Sequence, residues 1–297
     1  MSGRQLVFAT IAVLGLVWVA PAHAAITLSD DRGKAVSLVR PAQRIVTLAP
    51  HLTELVFAAG AGGKLVGVTA YSDFPAAATK LPLVGDSGKL DLERLIQLKP
   101  DLVLAWQTGN HPGDVAQMEK LGLSVFVTEP GKLPDIPRLL RTIGRLAGSE
   151  SQAQAAAATF ERALLELRTH YSTARPVSVF YEIWHEPLMT LNGRHMISDV
   201  IELCGGRNIF AELPLLTPTV SMENVLAADP EVIIASGSLY NDARLLEAWR
   251  KFPRLRAVRE GQLYFIHPDL MQRQTPRLIE GARQLCAQLD AARHMGR

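Results

Sequence analysis

The chain has 297 residues, 48% of them hydrophobic, and its 31 basic and 29 acidic side chains leave a formal charge of +2. A chain of that length and apolar content can bury a large core and exceeds the usual size of one compact domain. The near-neutral balance argues against nucleic acid or an anionic membrane as the main partner.

Residues 1–24 combine Arg4, an apolar stretch from Leu6 to Ala20 and the small-residue pattern Ala22-His23-Ala24. This predicts a cleaved secretory signal peptide. About 15 apolar residues are short for a membrane span, and no cysteine lies near the cleavage point to carry a lipid. The mature protein is expected to start near Ala25 and to work outside the cytoplasm.

Residues 26–38 read as a hairpin around Asp31-Arg32-Gly33-Lys34. Residues 44–48 (RIVTL) read as a buried strand stopping at Pro50, with a helix over residues 53–59 closed by Ala61-Gly62-Gly63. Strand and helix patterns then alternate to Val127, as in βαβ units with a parallel sheet. Residues 149–173 hold no proline or glycine and carry an apolar stripe at Phe160, Leu164, Leu165 and Leu167. This predicts a helix of roughly 35 Å. A second series follows: a strand over 177–183, a helix near 195–203, a helix around 243–251, a strand over 262–266 and a final helix over 275–292.

The segments LDLERLIQLKPDLVLAW (90–106) and VSMENVLAADPEVIIAS (220–236) repeat one pattern. Glu93 aligns with Glu223, Pro100 with Pro230 and Asp101 with Glu231. Each segment reads as a short amphipathic helix, a proline turn and a strand buried on both faces. Any α/β protein can repeat those elements, but helix burial has no use for the matched glutamates. The expected fold is therefore α/β, with two Rossmann-like lobes of mainly parallel sheet joined by one long backbone helix. The lobes are expected over residues 25–146 and 175–297, with the helix over 147–174.

Several motifs point elsewhere and are weak. Gly85-Asp86-Ser87-Gly88 resembles a serine-protease nucleophile loop without its all-β context. Gly60 to Lys64 resembles a phosphate loop, but Leu65 replaces the required hydroxyl. The histidines lack zinc spacing, so no resident metal or cofactor is expected. His51, His185 and His267 each follow a strand, where an open α/β sheet places its ligand crevice, and they are the candidates for contacting a metal chelate or haem. A secreted hydrolase would draw on Ser87 or these histidines. Tyr71 follows a strand, and Trp106 and Trp184 end strands, a set suited to stacking on a flat apolar ligand. Asp269 and Arg273 follow the strand over 262–266 and either bind polar groups at the same mouth or form a surface ion pair. Cys204 and Cys286 lack the redox Cys-x-x-Cys spacing, which leaves a disulfide or two buried thiols.

Taken in order, RIVTLAPHLTELVFAAG, VGVTAYSDFP, LDLERLIQLKPDLVLAW, ELCGGRNIF, VSMENVL and PRLIEGARQLC resemble the periplasmic cobalamin-binding proteins of bacterial ABC importers, a class III, helical-backbone family. The resemblance implies a non-enzymatic, monomeric receptor whose ligand, cobalamin or another corrinoid, is cargo. Haem or a ferric siderophore is the alternative. It implies that Tyr71 and Trp106 pack on the corrin, that Asp269 and Arg273 make polar ligand contacts, and that Cys204 and Cys286 form a disulfide. Glu93 and Glu223, one on each lobe, match residues that dock onto arginines of the inner-membrane permease dimer. The chain departs from the best-known cobalamin binder at Ser87 and Thr217, which replace tryptophans, and at Trp184, which replaces a small residue.

Overall fold

The structure is a computed structural model that describes residues 25–86, 88–237 and 242–295. The expected signal peptide and Ser87 lie outside the described residues. Strands β1 (Ile26–Ser29) and β2 (Ala35–Leu38) form the antiparallel hairpin, turned by Gly33 at φ 81°. The chain then runs through β3 (Ile45–Thr47), α1 (Pro50–Ala58), β4 (Leu65–Val68), α2 (Leu92–Gln97), β5 (Leu102–Trp106), α3 (Pro112–Lys120), β6 (Val125–Thr128) and α4 (Asp135–Ala147). Helix α1 starts three residues before the expected Thr53, because Pro50 provides a helical φ at the position where its missing N–H costs nothing. The left-handed residue that ends this segment is Gly60, at φ 78°, rather than the Ala61-Gly62-Gly63 run.

Helix α5 (Glu150–Tyr171) follows, then β7 (Val177–Glu182), α6 (Met196–Leu203), β8 (Gly206–Asn208), α7 (Met222–Ala228), β9 (Val232–Ala235), α8 (Asp242–Arg250), α9 (Arg256–Arg259), β10 (Leu263–Phe265), α10 (Pro268–Met271) and α11 (Leu278–Met295). The N-terminal sheet has the order β4-β3-β5-β6 and the C-terminal sheet the order β8-β7-β9-β10, every pair parallel. Numbered within its own lobe, each sheet reads second, first, third, fourth strand. The duplication therefore extends to topology.

The repeat also holds at the level of single residues. Leu95 and Val225 are the fully buried contacts of α2 and α7, while Glu93 and Glu223 stand exposed two residues earlier, turned away from that face. Asp91 and Ser221 cap the two helices through the amides of Arg94 and Asn224. Lys99 and Asp229 then adopt left-handed backbone at φ 45° and 41° before the matched prolines. Asp101 accepts the amide of Arg44 at 2.9 Å and Glu231 that of Ser178 at 2.9 Å, so each matched acid ties its strand to the lobe's first strand.

Helix α5 joins the lobes, as expected, and Phe160, Leu164 and Leu167 of the expected stripe pack on the core, but small residues extend that stripe and Leu165 falls outside it. Ala153, Ala157, Phe160 and Ala163 are buried and Leu165 is exposed. Small residues win because α4 lies close: a Cβ on Gly144 would sit 2.4 Å from that of Ala153. Helix α5 touches α1 and α4 on one side and α6 and α11 on the other, and one apolar core runs from β3 to α11 through it. Cys204, at the end of α6, and Cys286, on α11, form a disulfide.

Candidate functional site

Open parallel sheets bind ligands beyond the carboxyl ends of their strands, where the strand order reverses. In these sheets that point lies between β3 and β5 and between β7 and β9. A cavity of ≈ 570 Å³ opens there, between the lobes. Trp106, Thr108, Glu129 and Gly131 line it from the N-terminal lobe; Trp184, Arg194, His195, Thr217, Gln272 and Gln274 line it from the other. Three of the expected ligand residues, Trp106, Trp184 and Thr217, thus share one cavity with a tryptophan on each wall.

The two tryptophans are held differently. Trp106 packs its ring on Gly109, where a Cβ would fall 1.9 Å from the indole, and meets His51 edge-on at 5.1 Å. Its amide donates to Asn110 Oδ1 at 2.7 Å, and Asn110 Nδ2 donates to the Leu48 carbonyl at 2.9 Å, which locks the end of β5 to the end of β3. Trp184 is 50% exposed, and its indole N–H donates to the Glu186 carbonyl at 2.8 Å, leaving much of the ring free.

Arg273 joins the lobes. From the turn after α10 its Nη1 donates to Glu54 Oε1 on α1 at 2.9 Å and to Asp73 Oδ1 at 2.7 Å. Its Nη2 meets the Tyr71 carbonyl at 3.2 Å and Asp269 at 2.9 Å. Arg277, immediately before α11, grips both oxygens of Glu54 at 2.9 and 2.7 Å and stacks over Phe74 at 4.0 Å. Glu54, 3% exposed, is thus clamped between two arginines of the other lobe. Burial opposes a low pKa at Asp73, but the bonds from Arg273 bring its carboxyl below the ordinary value. The expected polar pair is therefore the centre of an interlobe clasp, not an isolated surface ion pair. Tyr71, 68% exposed at φ 64°, sits on that clasp beside the cavity rather than in its lining.

The three candidate histidines differ. His51 is 4% exposed, its Nε2 has no partner, and burial, with Arg273 nearby, lowers its pKa to about 3. It is a neutral imidazole behind Trp106. His185 Nδ1 lies 2.9 Å from Glu182 Oε1, whose other oxygen accepts Trp249 Nε1 at 2.6 Å. Burial raises the Glu182 carboxyl, partly offset by those two partners. His267 caps α10 through the amide of Asp269 at 3.3 Å. They converge on no common point, and no group of three or more metal-ligating side chains occurs among the described residues.

A four-residue turn leads from α2 into β5 and a three-residue turn from α7 into β9, so each helix runs back along its strand. The first turns, with Glu93 and Glu223, accordingly lie at the cleft end of their lobes. Both carboxylates are exposed. Local backbone bonding and the Ser221 hydroxyl lower the pKa of Glu223.

Sequence reasoning missed Thr108, Glu129, Arg194, His195, Gln272 and Gln274. Position was the available signal for Glu129, which directly follows β6. His195 caps α6 through the Ile197 amide at 3.1 Å, and burial lowers its pKa to about 4. Arg194, by contrast, occupies a loop with no periodic pattern to mark it.

Residues 45–270 match the periplasmic binding protein family. The chain is 36% identical over 252 residues to the vitamin B12-binding protein of Vibrio cholerae, an alignment covering 85% of this chain and 91% of that one. It is similar to the crystal structure of the periplasmic vitamin B12 binding protein BtuF of Vibrio cholerae, with a TM-score of 0.77, 36% identity, and 85% and 98% of the two chains covered. It is also similar to a periplasmic heme binding protein from Pseudomonas aeruginosa, with a TM-score of 0.74, 25% identity, and 83% and 92% covered. With two repeated parallel-sheet lobes joined by one helix and these relatives along most of its length, the chain belongs to the periplasmic binding protein family, in the branch that includes the vitamin B12-binding proteins.

Proposed function

We propose that this protein is a monomeric periplasmic receptor that captures cobalamin or a related corrinoid between its lobes and delivers it to an ABC permease. The observation that carries the reading is the pair Trp106 and Trp184, set on opposite walls of one cavity. Two indoles there suit a flat apolar macrocycle, and Trp184 supplies a stacking surface where Ser87 and Thr217 offer none. Tyr71 and Thr217 extend the contact surface, and Asp269 and Arg273 contribute polar contacts at its edge. The relatives named vitamin B12-binding proteins support a corrinoid over haem.

The lobes comprise residues 25–146 and 175–297, with the backbone helix over 147–174 and residues 1–24 removed after export. Glu93 and Glu223 dock onto the permease dimer. Exposed carboxylates suit reversible docking, since such pairs give register more than tight binding. The receptor needs no catalytic residue and no cofactor of its own.

Titration of the mature protein with cyanocobalamin, haem and a ferric siderophore, followed by visible spectra and thermal shift, tests the reading. Saturable binding of cyanocobalamin tighter than that of the other two is expected. Binding of haem or the siderophore alone would replace the corrinoid assignment with the second reading, which the resemblance to a heme binding protein supports.

A further inference from the structure

The expected cationic ligand contact, Arg273, is engaged by the carboxylates of Glu54, Asp73 and Asp269. A guanidinium among three carboxylates carries little net positive field to offer an anion. Arg194 differs. It lines the cavity itself, is exposed, and makes no ion pair among the described residues. One Nη donates to the Pro214 carbonyl, which steadies the side chain and leaves other donors of the fork available. Its own amide is fixed to Asn192 Oδ1 at 2.9 Å, and Asn192 Nδ2 donates to the Leu213 carbonyl at 2.9 Å. The loop that presents it is therefore built.

Two other ionisable side chains line the cavity. Glu129, on the opposite lobe, accepts the Thr108 amide and hydroxyl at 3.0 Å each and presents only acceptors. His195 is held as a helix cap. The cavity thus has a cationic group on the C-terminal lobe and an anionic one on the N-terminal lobe, and Gln272 and Gln274 add neutral amide groups to its lining.

We propose that Arg194 is the residue that binds an oxyanion of the ligand, the phosphodiester of a complete corrinoid, at the C-terminal wall of the cavity. The proposal rests on the corrinoid reading, and haem propionates are the other source of the same chemistry. A charge-assisted fork to an oxyanion contributes enough to change affinity roughly ten- to a hundredfold.

The experiment compares wild type with Arg194→Met by calorimetric titration against cobalamin and against cobinamide, which lacks the phosphodiester. Expected is a ten- to hundredfold loss for cobalamin with less than a threefold change for cobinamide, whose unchanged binding also shows that the variant is folded. Equal losses for both ligands, or no loss for cobalamin, would overturn the proposal while leaving the corrinoid reading in place. Should wild type bind neither corrinoid and take up haem, the corrinoid reading fails, and the comparison becomes haem against its dimethyl ester. A loss confined to free haem then supports the oxyanion contact, and equal losses overturn it.

Discussion

Removing Glu54 tests whether the interlobe clasp contributes to stability. In Glu54→Ala, Arg277 loses both of its carboxylate bonds and keeps only its stacking on Phe74, whereas Arg273 loses one bond and retains Asp73 and Asp269. Breaking a fully buried pair costs about 3–5 kcal/mol. The arginine side chains here are 12% and 20% exposed and can rehydrate in part, which lowers the expected cost to about 2–3 kcal/mol. For a chain of this size that corresponds to a fall in Tm of about 4–6 °C. The assay is thermal unfolding by circular dichroism at low and high salt, with hydrogen exchange reporting on α1 and the turn after α10. Glu54→Gln should fall between, because one acceptor oxygen survives. If Glu54→Ala melts within about 1 °C of wild type at low salt, the clasp does not hold the lobes together and the argument fails.

Four further outcomes are expected. His51 titrates near 3 when folded and near 6.5 when unfolded, so the unfolded chain takes up a proton the folded one refuses. The stability this histidine provides is complete above pH 6.5 and declines as pH falls towards 3, by about 2 kcal/mol at pH 5; urea unfolding at pH 7 and 5 should show a smaller difference in His51→Gln. The double variant Cys204→Ser, Cys286→Ser opens a loop spanning 82 positions and should lose about 2–5 kcal/mol in denaturant titrations, with no loss arguing against an entropic role for the bridge. Trp184→Ala should weaken corrinoid binding roughly tenfold or more with a change in Tm of under about 2 °C, because the ring is half exposed, and unchanged affinity would remove it from the site. Glu93→Ala with Glu223→Ala should abolish uptake in cells while ligand titrations stay unchanged, and retained uptake would refute the docking role.

Much of the fold was readable because it rests on local, repeated patterns. The helix, proline turn and strand of residues 90–106 and 220–236 carry their apolar spacing in the chain, and both copies form the same elements with the same buried contact, Leu95 or Val225. The strand end at Trp106 was equally readable, since a buried run stops where its apolar pattern stops, whereas β7 stops at Glu182, two residues before Trp184. The stripe on α5 was misread at Leu165 because side-chain size does not reveal how closely a neighbouring helix approaches. Gly144 on α4 decides that approach, and with it the burial of Ala153 and Ala157.

What the chain by itself determined is its duplication, its alternation of strands and helices and the residue types at the strand ends, because each is a periodic or positional signal within a short window. Which of those residues meet was decided by tertiary structure alone. Arg273 lies 219 positions from Glu54, and no local pattern foretells that burial would bring them together, engage the expected ligand cation in a clasp, and leave Arg194 lining the cavity with no carboxylate partner among the described residues. Desolvation and pairing depend on neighbours that only the packed lobes supply.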